Sequence, residues 1–194
     1  MSARSNIHTD PNYPCFSFGL DYEWVGVQWM DQVFLQHLFR LNRYRQAVEF
    51  GTYNGVTSCF VASMLRFTGG NLVTIDRNDG RQSPVRQYWP ENAVFLCADL
   101  LAAPPHPGVI NLIQNLGPSS LLIVDNGNKP EEVRRYVPHL PVGAQFVVHD
   151  WGEQPGVGEI TPDDVSHLLD RFVPIEHDVA KTFGSSFRCW ERRA

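Results

Sequence analysis

The chain has 194 residues, of which 43% are hydrophobic, and a formal net charge of −5. That length supports one globular domain with a full core, or one domain with a short extension. The acidic balance gives no general attraction to nucleic acid, and no apolar run reaches membrane-spanning length.

Residues 1 to about 20 are polar and proline-containing, which predicts an extended arm, and the opening "MSARSNIHTDPNYPCF" has no apolar leader segment. From Trp24 to Arg43 the chain is dense in apolar residues, predicting a helix or two short ones. Arg40, Arg43 and Arg45 suit the end of that helix, where its dipole favours cations. Cys15, Cys59, Cys97 and Cys189 lie far apart without a CxxC, and three of them fall in apolar patterns. Free cysteine behaves there as a small hydrophobe, and this usage points to a reducing compartment, the cytoplasm.

Strand and helix signals then alternate. "AVEF" predicts a strand, and "VTSCFVASMLRF" a helix with Val56, Phe60, Val61, Met64 and Leu65 on one face, stopped by Gly69 and Gly70. "LVTID" predicts a strand ending in Asp76. A short helix follows around Val85 to Trp89, and then "VFLCAD", a strand ending in Asp99. "VINLIQNL" predicts a helix halted by Gly117 and Pro118, and "LLIVD" a strand ending in Asp125. "PEEVRRYV" opens with proline and acids, as helices do. "FVVHD" predicts a strand ending in His149 and Asp150, and "TPDDVSHLLDRF" a helix capped by Thr161. "FVPIEH" and "SSFRCWE" predict two last strands. The "DVAKTFG" between them is too short for a helical crossover, so they should pair antiparallel.

Five alternations with short continuous apolar strands indicate a doubly wound α/β sheet with both faces covered. In such sheets ligands bind outside the carboxyl ends of the strands, where strand order reverses. The predicted strand ends carry Glu49, Asp76, Asp99, Asp125 and Asp150. Gly51 allows a sharp turn off the first strand, and Gly55 removes a Cβ where a ligand approaches the next helix. Asp76 follows Gly51 by 25 residues, at the end of the next strand, where a carboxylate can accept from a ribose diol. Asp99, one strand further out, can reach an adenine amino group. The edge therefore reads as a nucleoside site with a charged tail lying over Gly51. The loop G-T-Y-N-G is neither GxGxxG nor a P-loop, which counts against a dinucleotide or a nucleoside triphosphate.

"VEFGTYNGVTS", "VTIDRND", "VFLCADLL" and "LLIVDNGNK" resemble the class I S-adenosylmethionine-dependent methyltransferases, from about residue 45 to the C-terminus. The resemblance implies a Rossmann-like seven-stranded sheet of order 3-2-1-4-5-7-6, whose terminal antiparallel hairpin matches the one inferred above. Residues 1–44 would then form an N-terminal arm and helical cap, and residues 45–194 the S-adenosyl-L-methionine-binding domain. By resemblance, Glu49, Gly51, Thr52, Tyr53, Asn54 and Gly55 surround the methionyl part, Asp76 holds the ribose, Asp99 and the backbone of Leu100 hold adenine, and Asp125 completes the cofactor edge. "IVDNGNKPEEVRRYVPHLPVGAQFVVHDW" is similar to the branch with macrocin-type sugar O-methyltransferases and cephalosporin-hydroxylase-like proteins, with catechol O-methyltransferase more distant.

In those enzymes acids at the ends of the fourth and fifth strands hold a divalent metal, and the matching positions are Asp125, His149 and Asp150. Tips of adjacent strands lie about 5 Å apart, which suits one ion. Two departures stand out. His149–Asp150 replaces two acids or Asp-Asn, and Asn128 and Lys129 stand where many relatives carry a histidine. A mixed N/O set accepts Mg, Mn, Fe or Zn, or the position holds no metal. Neighbouring strand residues face opposite ways, so His149 and Asp150 reach one cleft only if the chain curls. His149 is metal ligand, general base or a hydrogen-bonded structural residue, and ligand and base exclude each other at one nitrogen. Lys129 either positions an anionic substrate or is a solvated lysine. Tyr53 and Trp151 line the pocket or pack. The expected reaction is O-methylation of a small hydroxylated acceptor, with a homodimer expected from the relatives. A nicotinamide-dependent oxidoreductase and a non-catalytic adenosyl-binding module are the alternatives.

Overall fold

The computed structural model describes residues 29–81, 83–152 and 158–194. The predicted arm and the start of the first helix lie outside them. The elements in chain order are α1 (Trp29–Asn42), β1 (Gln46–Phe50), α2 (Val56–Arg66), β2 (Asn71–Asp76), α3 (Ser83–Gln87), β3 (Ala93–Cys97) and α4 (Pro107–Gln114). They continue as β4 (Ser120–Val124), α5 (Lys129–Tyr136), β5 (Gln145–Val148), α6 (Pro162–Val165), β6 (Phe172–Ile175), α7 (His177–Phe183) and β7 (Arg188–Arg192). The strands form one seven-stranded sheet of order β3-β2-β1-β4-β5-β7-β6. β1 to β5 run parallel, and β7 pairs antiparallel with both β5 and β6.

The strict period of two along each strand sorts the core into two layers. Val48 and Phe50 of β1, Leu122 and Val124 of β4, and Phe146 and Val148 of β5 pack with α4 and α5 through Val109, Ile113, Val133 and Tyr136. Ala47, Leu121, Ile123, Val147 and Cys189 face the other way, against Phe34, Leu35 and Leu38 of α1, Phe60, Val61 and Leu65 of α2, and Ala180 of α7. The predicted apolar face of α2 is thus buried. Arg40 occupies the last turn of α1, as expected from the dipole.

Four expectations change. The stretch after Thr161 is not one helix; α6 is a single turn continued by a 3-10 turn, Ser166–Leu168. The link between β6 and β7 does carry a helix, α7. It does not cross the sheet: it packs on α1, with His37 Nε2 2.8 Å from Glu176 Oε2, and returns at Gly184, whose φ is 68°. The antiparallel pairing therefore stands with a helix inside the link. β3 stops at Cys97, because Asp99 leaves the ladder in a turn, its Oδ1 accepting from Leu101 N at 2.9 Å. Cys97 itself is exposed, since β3 is an edge strand; Cys59 and Cys189 are buried, and all three are free thiols. No helix among the described residues is long and apolar enough to cross a membrane.

Candidate active site at the strand tips

β1 and β4 are neighbours in the sheet, and the connections leaving them run to opposite faces, so the crevice opens at their carboxyl ends. A cavity of about 630 Å³ lies there, lined by Gly51, Tyr53, Asp76, Asp99, Asp125 and Lys129 together with Arg77, Asn78, Gly80, Leu101, Asn126, Gly127 and Glu159. This volume falls in the range of small-molecule sites.

On the β1–β2 side the backbone shapes the rim. Gly51 has φ 90°, and a Cβ there would overlap the Asp125 carbonyl, so glycine is required both by conformation and by the neighbouring strand. Tyr53 also takes a left-handed φ of 45° and is exposed to the cavity. Asp76 Oδ2 accepts from Thr52 N at 3.1 Å and Tyr53 N at 3.0 Å, and its Oδ1 from Asn78 N at 3.3 Å. The carboxylate thereby braces the loop as well as facing the cavity.

Several residues expected around a cofactor turn elsewhere. Glu49 is wholly buried, because it shares the face of Ala47 and points beneath α2. Its Oε2 accepts from the Ser58 hydroxyl, and its Oε1 has no hydrogen-bond partner among the described residues within bonding geometry. Burial, opposed by the hydrogen bonds from Ser58 and Thr74, pushes its pKa up to about 8. Thr52 Oγ1 meets Thr74 Oγ1 at 2.6 Å, and Asn54 Oδ1 accepts from Val56 N at 3.1 Å, so both side chains serve the fold. Gly55 does not clear space for a ligand: a Cβ there would lie 2.8 Å from Val85 Cγ1 and 3.1 Å from Trp89, so the glycine admits α3. The Leu100 side chain is buried, which leaves the expectation for its backbone as it stood, and Leu101 lines the cavity. Trp151 packs against Trp190 at 5.2 Å between ring centres and does not line the cavity.

On the β4–β5 side charged side chains converge. Asp150 has φ 55°, the curl needed to bring it round beside His149. His149 Nδ1 lies 3.0 Å from Asp125 Oδ1 and 3.2 Å from Asp150 Oδ1, and its Nε2 lies 3.1 Å from Asp31 Oδ2. Ligand atoms of Asp125, His149 and Asp150 all fall within 4.8 Å of one another. Lys129 is not solvated: with Asn128 as N-cap, α5 places its buried Nζ 2.9 Å from Asp150 Oδ2, 2.6 Å from Glu159 Oε2 and 3.7 Å from Asp125 Oδ1.

The electrostatics follow from this crowding. Burial opposes the imidazolium, but bonds to Asp125, Asp150 and Asp31 outweigh it and push the His149 pKa up to about 11. Burial likewise opposes charge on Lys129, and bonds to Glu159 and Asp150 outweigh it and raise its pKa. The bond from His149, against some burial, holds Asp150 well below the usual carboxylate range, with Lys129 adding to it. In this state neither His149 nor Lys129 is a free base. Sequence reasoning missed Asp31 and Glu159. Neither has a motif; Asp31 arrives from 118 residues before His149, and Glu159 from the loop after β5, its N–H bonded to the Asp150 carbonyl at 2.9 Å.

No protein-family model and no curated protein matches the sequence. Solved structures do match in fold. CmcI, solved as a Mg-SAM complex, has a TM-score of 0.66 at 17% identity, over 92% of this chain and 79% of that one. The O-methyltransferase TomG from Streptomyces achromogenes, involved in tomaymycin synthesis and solved with SAM, has a TM-score of 0.56 at 18% identity, over 87% of this chain and 82% of that one. The SAH-bound methyltransferase PaMTH1 from Podospora anserina has a TM-score of 0.56 at 11% identity, over 84% of this chain and 78% of that one. The fold is that of Rossmann-like methyltransferases.

Proposed function

We propose that the chain is an S-adenosylmethionine-dependent O-methyltransferase acting on a small hydroxylated molecule. The observation that carries this reading is the cavity at the strand-order reversal, where Gly51, Asp76 and Asp99 on one side face Asp125, Lys129 and Glu159 on the other. The resemblance in motifs and the methyltransferases that share the fold support it. Asp76 would hold the ribose with the acceptor site that the three loop N–H groups leave free, Asp99 would face the adenine, and Gly51 and Tyr53 would flank the methionyl group. Bound there, S-adenosylmethionine would supply an electrophilic methyl on sulfonium sulfur for transfer to the acceptor oxygen, with S-adenosylhomocysteine as the leaving group. The chain aligns the acceptor and takes its proton onto a carboxylate of the cluster, His149 and Lys129 being already protonated.

Asp125, His149 and Asp150 suit a divalent cation: one imidazole nitrogen and two carboxylates, with ligand atoms within 4.8 Å, form a compact mixed N/O set. Bound there, the ion would hold the acceptor oxygens and lower the cost of removing their proton. A second reading has its own observation. Lys129 Nζ, 2.9 Å from Asp150 and 2.6 Å from Glu159, already balances part of the carboxylate charge, which fits a metal-independent enzyme. Titration calorimetry with S-adenosylhomocysteine, followed by mass spectrometry for methylated products with and without chelator, tests both. Absence of S-adenosylhomocysteine binding sinks the methyltransferase reading. Undiminished turnover in chelator selects the second one. A cytoplasmic homodimer accompanies the proposal, checked by the mass of the chain in solution.

A further inference from the structure

Asp31 belongs to the segment expected to act only as a cap, yet its carboxylate is 1% exposed and lies beside His149. Its Oδ1 accepts from Ser185 Oγ at 2.7 Å, Ser186 N at 2.8 Å and Ser186 Oγ at 3.3 Å. Its Oδ2 lies 3.1 Å from His149 Nε2. Three remote pieces of chain meet in this one group: the first turn of α1, the end of β5, and the turn between α7 and β7. An ionised carboxylate only accepts, so the hydrogen of this contact must sit on Nε2. With Nε2 tied to Asp31, the other ring nitrogen points to the rim, 3.0 Å from Asp125 Oδ1 and 3.2 Å from Asp150 Oδ1. The Phe187 ring, 4.6 Å from the imidazole centre, packs against one side of the ring and opposes its rotation.

We propose that Asp31 is the positioning residue of the site, holding hydrogen on His149 Nε2 and thereby presenting Nδ1 to Asp125 and Asp150. What Nδ1 then does, giving up its hydrogen to solvent and joining those two carboxylates around a divalent ion, rests on the metal-assisted reading above. A carboxylate behind a ligating imidazole fixes its ring orientation and raises its basicity. A purely structural Asp31, tying α1 to the turn before β7, would affect stability and nothing at the ring.

Asp31→Asn separates the two roles. The amide oxygen still accepts from Ser185 and Ser186, but its NH₂ now faces Nε2, which can no longer donate to it. The first measurement is the ring N–H spectrum of the full chain, metal-free and labelled with ¹⁵N-histidine. We expect a downfield, slowly exchanging Nε2–H resonance, assigned to His149 by its loss in His149→Gln and absent in Asp31→Asn. The second is titration with Co²⁺, where Asp31→Asn should bind about 10–100-fold more weakly than the wild type at an unchanged circular dichroism spectrum. A wild type without the resonance overturns the proposal, as does an Asp31→Asn chain that keeps both the resonance and the cobalt affinity. A wild type that shows the resonance but binds no Co²⁺ supports the positioning role and removes the metal reading. If Asp31→Asn does not fold, the wild-type resonance decides.

Discussion

The β1–β2 side of the rim is built by backbone, and the β4–β5 side by charged side chains. At the first, Gly51 at φ 90° and Tyr53 at φ 45° set a loop whose N–H groups close onto Asp76. At the second, Asp31, Asp125, Asp150 and Glu159 surround the two cations His149 and Lys129. A backbone-built rim offers fixed shape and a few hydrogen-bonding groups, which suits holding one invariant ligand. A side-chain-built rim offers dense charge whose balance shifts with each proton or ion, which suits chemistry.

If that division holds, changes on the two sides must separate in their readouts. The largest effect is expected from Asp125→Ala. It removes a carboxylate shared by His149 and Lys129, and should abolish turnover while S-adenosylhomocysteine affinity, measured by calorimetry, changes little. Equal loss of affinity would merge the two sides into one. Gly51→Ala sits on the seam between them. Its Cβ would overlap the Asp125 carbonyl at a left-handed φ, costing about 2–5 kcal/mol of stability in denaturant titration. A cost below about 1 kcal/mol would mean that the strands part easily there.

Glu49, beneath the backbone-built side, gives a pH signature. Burial raises it from 4.5 to about 8, so between those values the folded chain holds a proton that the unfolded chain lacks. Stability is therefore full below about pH 4.5 and falls as pH rises towards 8, by at most roughly 1.4 kcal/mol per pH unit. Glu49→Gln should flatten that fall in chemical denaturation at several pH values. Glu132, raised to about 8 chiefly by burial, leaves a residual slope of the same sign. An unchanged slope in Glu49→Gln would show that Glu49 is ionised in the folded chain. The smallest effect belongs to Asp76→Ala, which should weaken S-adenosylhomocysteine by about 1–3 kcal/mol without touching cation binding at the other side. Unchanged affinity would place the nucleoside elsewhere.

The comparison also marks what local sequence could reveal. Asp76, Asp99 and Asp125 were legible because strand ends announce themselves by apolar runs breaking into turn residues, and all three line the cavity. Glu49 was misplaced because one residue of register reverses the face: beside Ala47 in the period of two, it goes under α2 to Ser58. Gly55 was legible as a glycine but not in its purpose, since Val85 and Trp89 come from a later element. Lys129 passes for a solvated lysine in sequence, because Glu159, one of the carboxylates that pair with it, lies 30 residues on.

By itself, then, the sequence determined the alternation of elements, the hairpin at the end, and the gathering of acids along one edge, because periodicity and turn chemistry act within a few residues. Tertiary structure decided which acids face the cavity and which are buried beneath a helix, and it alone brought Asp31 and Glu159 to the site. The reason is that a side chain's surroundings depend on strand parity and on segments folded in from far along the chain, and neither is written next to the residue concerned.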